Sequence, residues 1–564
     1  AQKPVIPASE ALMKARMQLQ SGSSVNALQI LDQARREHPK DAALADAAGD
    51  LSLKAGNIEV AIGHFAAACE NAPEWIDYAV NHAIALQRLD RHDEALTLLD
   101  RHEEQGRTVA KYARVRAMSE RAIGNLAAAA NWYDAAIAGS PSNSKGLHGR
   151  ARVALERGEP DALQRFDRAL AINPGDAELW LGKAQALDVL GDVQGARTIA
   201  QQIATQAPGF MAGQSFLAQL RLAAGERDFS SHYEQAAAKH PQDPNIPAEH
   251  CETLAGLDYA AEAAEVAAQA RKRFPEVSHF ALLEAVNAGA AGDWDRAERI
   301  FETLKDSRPV RFVQEARHRI RVGDTDRAET VLAHVIAAEP TNIAAWALRG
   351  IGWRLSGDPR AEWLHEQSGL VQLQPLNGAS DLVDRSIEFL RELHAGSAMP
   401  LGQSLRGGTQ TRAILFHRPE PVLEELHKAI LATLEAYRAA LAPSDISHPL
   451  LMHRDTPWRL QGSWSVRLTG GGDYHTAHIH PQGIVSSALY LIVPKEADGE
   501  DQHGWLEVGR PPPDLGLDLP PLRTIKPQPG YLALFPSTLY HGTTPFPAAE
   551  RMTVAFDVVT KAGK

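Results

Sequence analysis

The chain has 564 residues, more than one hydrophobic core can organise, so several domains or a repeat array must be present. Its 58 lysines and arginines are outnumbered by 70 aspartates and glutamates, and a net charge of -12 opposes attraction to nucleic-acid phosphates or anionic lipid. No apolar run approaches the roughly 20 residues of a membrane helix, and "AQKPVIPASE" lacks a basic-then-apolar signal; a cytoplasmic protein with neither nucleic acid nor membrane as partner is expected.

Helices come first. Prolines at 39, 73, 141, 174, 208, 241, 275, 309 and 340 fall mostly 33 or 34 residues apart, with one double step where Arg107 stands in for proline. Within each period a small residue, an aromatic or leucine and another small residue precede the proline, as in Ala61, Phe65, Ala68 and Pro73, and again in Ala129, Tyr133, Ala136 and Pro141. Phe166, Ala169 and Pro174 carry the later part of the same pattern. The register resembles that of the tetratricopeptide repeat. Small residues let two antiparallel helices approach, the aromatic fills the space left, and proline ends the second helix. About ten units run from residue 8 to roughly 365, the last irregular, as a terminal unit facing another domain should be. The two cysteines, Cys69 and Cys251, fall in helix-like segments, too far apart in sequence for a thiolate site, and read as buried spectators.

From about residue 376 the pattern changes. "DLVDRSIEFLRELHAG" and "PEPVLEELHKAILATLEAYRAALAP" carry apolar residues at helical spacing and predict helices that buttress a sheet. "SWSVRLTG", "IVSSALYLIV", "GWLEVG", "GYLALFP" and "MTVAFDVV" are short, apolar or alternating, and bounded by Gly, Pro and Asp, which predicts an antiparallel sandwich or barrel. The Pro-rich "GRPPPDLGLDLPPLRTIKPQPG" reads as a long surface connection. The expected fold is therefore α+β and multidomain. An all-α repeat solenoid over residues 1–365 precedes a β domain with flanking helices over 366–564.

Histidines stand out in that domain. His478 and His480 lie two apart in "HTAHIHPQG", after the glycines 470, 471 and 472, and on an extended segment both side chains face one way and can reach one metal ion. His541, directly after "YLALF" in "FPSTLYHGTTPF", is the candidate third ligand. Arg551 opens the last strand with Thr553 on the same face, which suggests a carboxylate anchor beside a metal. His475 has the wrong phase for that face, and His503 sits in a polar turn. Arg406, Gln410, Trp464 and Arg467 could line a pocket, but strand-borne Arg and Trp are as often structural.

"HIHPQG", "SSALYLIVP", "PGYLALFPSTLYHGTTPF" and "ERMTVAFDVV" together resemble the 2-oxoglutarate- and Fe(II)-dependent oxygenases, specifically those with tetratricopeptide repeats ahead of the oxygenase domain; "PLGQSLRGGTQT" (400–411) is similar too. The resemblance implies a double-stranded β-helix, or jelly roll, with His478 as first iron ligand and His541 as distal ligand. It implies that Arg551 and Thr553 anchor 2-oxoglutarate, with Tyr490 positioned to help. One departure matters, because His480 occupies the position where that superfamily has Asp or Glu. Three ligand sets remain open: three histidines, two histidines with water in the acid's place as in the aspartyl/asparaginyl β-hydroxylases, or an acid from elsewhere in the chain. Three histidines are favoured, since His480 is already placed and neutral imidazole binds iron well.

The function so implied is an Fe(II)-, 2-oxoglutarate- and O2-dependent dioxygenase, hydroxylating a peptide or protein that the repeat groove recruits. The alternative is a repeat scaffold for protein–protein interaction whose barrel is catalytically silent or binds zinc. A zinc-dependent hydrolase is a weaker third reading.

Overall fold

In the structure, a computed structural model that describes residues 6–396, 405–406, 408–470, 474–547 and 549–560, the chain divides into two compact units, Ala1–Ala186 and Leu187–Lys564. The first unit is made of helix hairpins that follow the sequence register. Helices ending at Glu37, Asn71, Gly139 and Ile172 are followed, two residues on, by Pro39, Pro73, Pro141 and Pro174. The small–aromatic–small triplets form the interior: Phe65, Tyr133 and Phe166 are buried together with Ala61, Ala68, Ala129, Ala136 and Ala169. Each aromatic lies where a neighbouring helix carries glycine, and a Cβ added at Gly49, Gly149 or Gly182 would fall 2.6, 2.2 or 2.1 Å from the ring of Phe65, Tyr133 or Phe166. Cys69 and Cys251 are free thiols, and burial pushes them up to about 11 and about 12, as expected of spectators. Among the described residues no helix is long and apolar enough to cross a membrane.

The second unit opens with the same helical pattern. Pro309 departs from it, because it stands at the first turn of helix Pro309–Arg321, where a missing N–H costs nothing. The irregular last pair, Ile343–Ser356 and Arg360–His365, gathers Trp346, Trp353 and Trp363 with ring centroids 6.0 to 6.5 Å apart. Helix gives way to strand between His365 and Gln372.

Eleven strands are found among the described residues: β1 (Gln372–Pro375), β2 (Leu405–Arg406), β3 (Thr409–Gln410), β4 (Trp458–Leu468), β5 (Tyr474–His478), β6 (Val485–Ile492), β7 (Leu506–Val508), β8 (Arg523–Ile525), β9 (Tyr531–Pro536), β10 (His541–Thr543) and β11 (Arg551–Thr560). They form two antiparallel sheets, ordered β1-β9-β6-β11-β4-β3 and β2-β5-β10-β7-β8, the two walls of a jelly roll. The expected helices appear as Leu382–Ala395 and Pro421–Ala440. Leu390, Leu426 and Ile430 from these helices share a core with Leu489, Leu532, Met552, Val554 and Phe556 of the larger sheet. The α+β architecture read from the sequence is the one observed. All five expected strands are present, while β5 and β10, which carry histidines, were not foreseen as strands.

The Pro-rich connection differs from expectation. Far from running free over the surface, it is held against the repeats: Leu515 is fully buried, Asp514 pairs with Arg317 and Arg321, and Arg354 donates to the Pro520 carbonyl at 2.6 Å. Within the quoted motifs, residues 400–404, 407, Gly471 and Gly472 lie outside the described residues.

Candidate metal centre

The alternation of β11 builds one side of the site. Met552, Val554, Phe556 and Val558 point into the helical core, so Arg551, Thr553 and Asp557 occupy the opposite face, toward the smaller sheet. On that sheet β5 and β10 pair with His478 directly opposite His541. Gly542 permits the close approach, since a Cβ there would lie 2.8 Å from the His475 carbonyl oxygen.

His478, His480 and His541 converge, each offering one ring nitrogen within 4.8 Å of the others. The Nε2 atoms of His478 and His480 are 3.0 Å apart. Two nitrogens each about 2.1 Å from one ion and at right angles to it would have this spacing. The Nδ1 atoms of all three rings face oxygen atoms. His478 Nδ1 is 2.7 Å from the Thr476 carbonyl, His541 Nδ1 is 3.2 Å from the Leu539 carbonyl, and His480 Nδ1 is 3.0 Å from Asp557 Oδ1. The last contact is one of charge proximity rather than an aligned hydrogen bond, because Asp557 Oδ1 has no hydrogen-bond partner. The carbonyl oxygens behind Nδ1 of His478 and His541 orient those two rings and leave Nε2 as the nitrogen that could coordinate a metal, the usual support of a ligating histidine. Burial, and then the neighbouring His478 and His480, hold His541 well below the ordinary histidine range. It is a neutral imidazole, which is the form that binds metal.

Aromatic rings close the cluster. Trp464 stacks on His480 at 5.5 Å, and Phe535 stands edge-on to His541 at 4.7 Å. Trp464 is thus a neighbour of the triad, whereas Arg467 pairs with Glu550 at 3.0 Å and is structural. His475, whose ring is 6.0 Å from that of His478, stays outside the triad, and His503 faces Asp501 and the Pro545 carbonyl.

The anchor region lies on the same face of β11. Arg551 is 3 % exposed and donates to Thr543 Oγ1 at 3.3 Å. Its guanidinium lies 5.7 Å from the centroid of the Tyr490 ring, and Thr553 pairs in register with Tyr490. The guanidinium acts on the phenol electrostatically, yet Arg551 Nε and the Tyr490 hydroxyl are both buried with no partner in hydrogen-bonding geometry. Burial, which works against the charge of Arg551, pushes the Tyr490 phenol up to about 12, so it is a neutral donor. Glu550, next in sequence, pairs with Arg391 and Arg467 instead. Among the described residues Arg551 thus has no acid beside it, and its nearest polar neighbours are the Thr543 hydroxyl and the Tyr490 phenol.

Residues 462–557 match the family model described as "Putative 2OG-Fe(II) oxygenase", and residues 12–74, 80–144 and 160–220 match models of the tetratricopeptide repeat. The chain carries a 2OG-Fe(II) oxygenase-family domain behind tetratricopeptide repeats. Every member of the histidine cluster and the Arg551 region lies inside the segment matched to the oxygenase-family domain. Similar solved structures include a tetratricopeptide repeat protein from Parabacteroides merdae ATCC 43184, at 18% identity over 43% of this chain and 97% of that one, with a TM-score of 0.36. PilW, a type IV pilus biogenesis factor, is 17% identical over 37% of this chain and 98% of its own, with a TM-score of 0.34. Pseudomonas aeruginosa pilF is 17% identical over 37% and 96%, with a TM-score of 0.33. At these scores the likeness says nothing of the metal centre. A comparison with curated proteins finds no match.

The residue that the sequence reading did not single out is Asp557. Its signal was present, because it shares the parity of Arg551 and Thr553 along β11.

Proposed function

We propose that His478, His480 and His541 hold Fe(II), that Arg551 anchors the far carboxylate of 2-oxoglutarate with Tyr490 and Thr553 beside it, and that the domain is a dioxygenase hydroxylating a peptide or protein. The observation that carries this reading is the buried, acid-free Arg551 on the same β11 face that brings Asp557 to His480. Bound there, the metal and the keto acid supply the activation of O2 and the oxidation of a substrate C–H bond. The chain's own residues do the rest. Arg551 offers a planar fork to a carboxylate, and the Tyr490 hydroxyl adds a donor. Trp464 and Phe535 shield two sides of the triad from water, where electrostatic contacts are worth more.

Asp557 supports the three-histidine set over a water-filled acid position. It gives His480 a negative neighbour, so the charge that a ligating carboxylate would carry stands one ring away. We place the domain boundary at 365/366 and assign the recruiting of the peptide or protein to the repeats.

Anaerobic addition of Fe(II) and 2-oxoglutarate tests the reading. A weak visible charge-transfer band that requires both is expected. Its absence together with tight zinc binding favours the scaffold with a zinc-holding barrel.

A further inference from the structure

We propose that the last repeats, residues 309–365, are a working part of the metal centre: Arg317 and His365 are positioning residues that hold the segments bearing the candidate ligands. This rests on the reading of the triad as a metal site.

His541 is reached from the end of β9 through the turn Ser537, Thr538, Leu539 and Tyr540. The Leu539 carbonyl faces His541 Nδ1, so the orientation of the imidazole depends on how firmly that turn is held. Two side chains from the repeats grip it. His365 Nε2 lies 2.9 Å from Thr538 Oγ1 in a buried contact, and Arg317 Nη1 donates to the Tyr540 hydroxyl at 3.1 Å. Arg317 is fixed in turn by Asp514, whose Oδ2 is 2.8 Å from Arg317 Nε and 2.9 Å from Arg321 Nη2.

Packing repeats the pattern. Tyr540 is buried in a cluster with Val313, Ile320, Trp346 and Leu364 of the repeats. Ile479, the one residue between His478 and His480, packs against the same cluster. Each ligand-bearing segment therefore turns its histidines to one side and seats the adjoining apolar residue in the repeat core. A short turn on a jelly roll has few contacts of its own, and a ligand set must be held to a fraction of an ångström. The repeats supply the rigidity.

Co(II) titration of the full chain, read by its visible d–d absorption, separates positioning from mere domain packing. Tyr540→Phe keeps the ring and removes the hydroxyl that Arg317 reaches; Thr538→Val does the same for His365. Arg317→Gln removes the donor fork, and Arg317→Lys should restore part of the effect. Arg349→Gln is the control, since Arg349 pairs with Glu329 inside the same repeats. We expect the Co(II) dissociation constant to rise about tenfold in Tyr540→Phe and Arg317→Gln, with melting temperatures matching that of the control. Folded Tyr540→Phe and Thr538→Val with Co(II) affinity within about twofold of wild type would overturn the inference, as would an equal loss in the control. Should Arg317→Gln fail to fold, Tyr540→Phe decides. A wild-type chain that binds no Co(II) brings down the metal reading itself, whereas binding that no variant shifts removes only this inference.

Discussion

A buried arginine without an acid is costly to the fold, and Arg551 separates function from stability for that reason. Arg551→Met removes an uncompensated charge from a buried place, so the variant should melt no lower than wild type, while calorimetry under argon should show 2-oxoglutarate affinity of the Fe(II)-loaded protein reduced by orders of magnitude. Arg551→Lys should recover only part, since one ammonium cannot reproduce the fork. A variant that melts much lower yet binds 2-oxoglutarate normally would make Arg551 structural. For the triad, His480→Ala should lose metal, and Asp557→Asn should weaken metal affinity by about tenfold without unfolding the chain. Equal metal affinity in His480→Ala would leave a two-histidine site. At this scale the sequence named His478, His480, His541, Arg551, Thr553 and Tyr490 by spacing or resemblance; in the structure the three histidines converge, and Arg551 and Thr553 lie by Tyr490. What the sequence could not convey is that Asp557 stands behind His480, because that contact depends on two sheets facing each other.

Among the elements, the repeat helices were the most legible and the histidine-bearing strands the least. Proline spacing and a small–aromatic–small triplet repeat many times, whereas β10 has three residues and β5 is rich in polar side chains, so neither shows the apolar alternation that marks a strand. Their pairing is set by neighbours and by the bare backbone at Gly542. The same economy of space operates in the helices, where Gly182 leaves room for the ring of Phe166. Gly182→Ala would place a methyl group 2.1 Å from that ring, and overpacking of this kind should cost about 1 to 3 kcal/mol, to be read as a lower denaturant midpoint. A midpoint equal to wild type would show that the helices part without penalty.

For the whole molecule, acid is the telling stress. Burial lowers His232, His250 and His394 from 6.5 to about 4, and His365 to about 3. In the unfolded chain these groups take protons below about 6.5, while the folded chain keeps them neutral, so the unfolded state binds more protons between that pH and about 4. Stability from this source is complete above pH 6.5 and is lost as pH falls toward 4. Each histidine should contribute about 2 kcal/mol of loss by pH 5. Urea midpoints should therefore fall between pH 7 and pH 5, and His394→Gln, which removes one such group, should flatten the decline. A midpoint that stays level would mean the histidines titrate alike in both states.

The alternation of β11 has a genetic consequence. Arg551, Thr553 and Asp557 serve the cavity only because they share parity, while Met552, Val554, Phe556 and Val558 serve the helical core by having the other. Deleting a single codon within the strand would invert the parity of every residue on one side of the deletion, driving charge into the core and methyl groups into the cavity over that stretch. Point changes here should be graded in effect, but one-residue deletions between 551 and 557 should be uniformly null. In-frame length, more than any single side chain, is what this strand cannot vary.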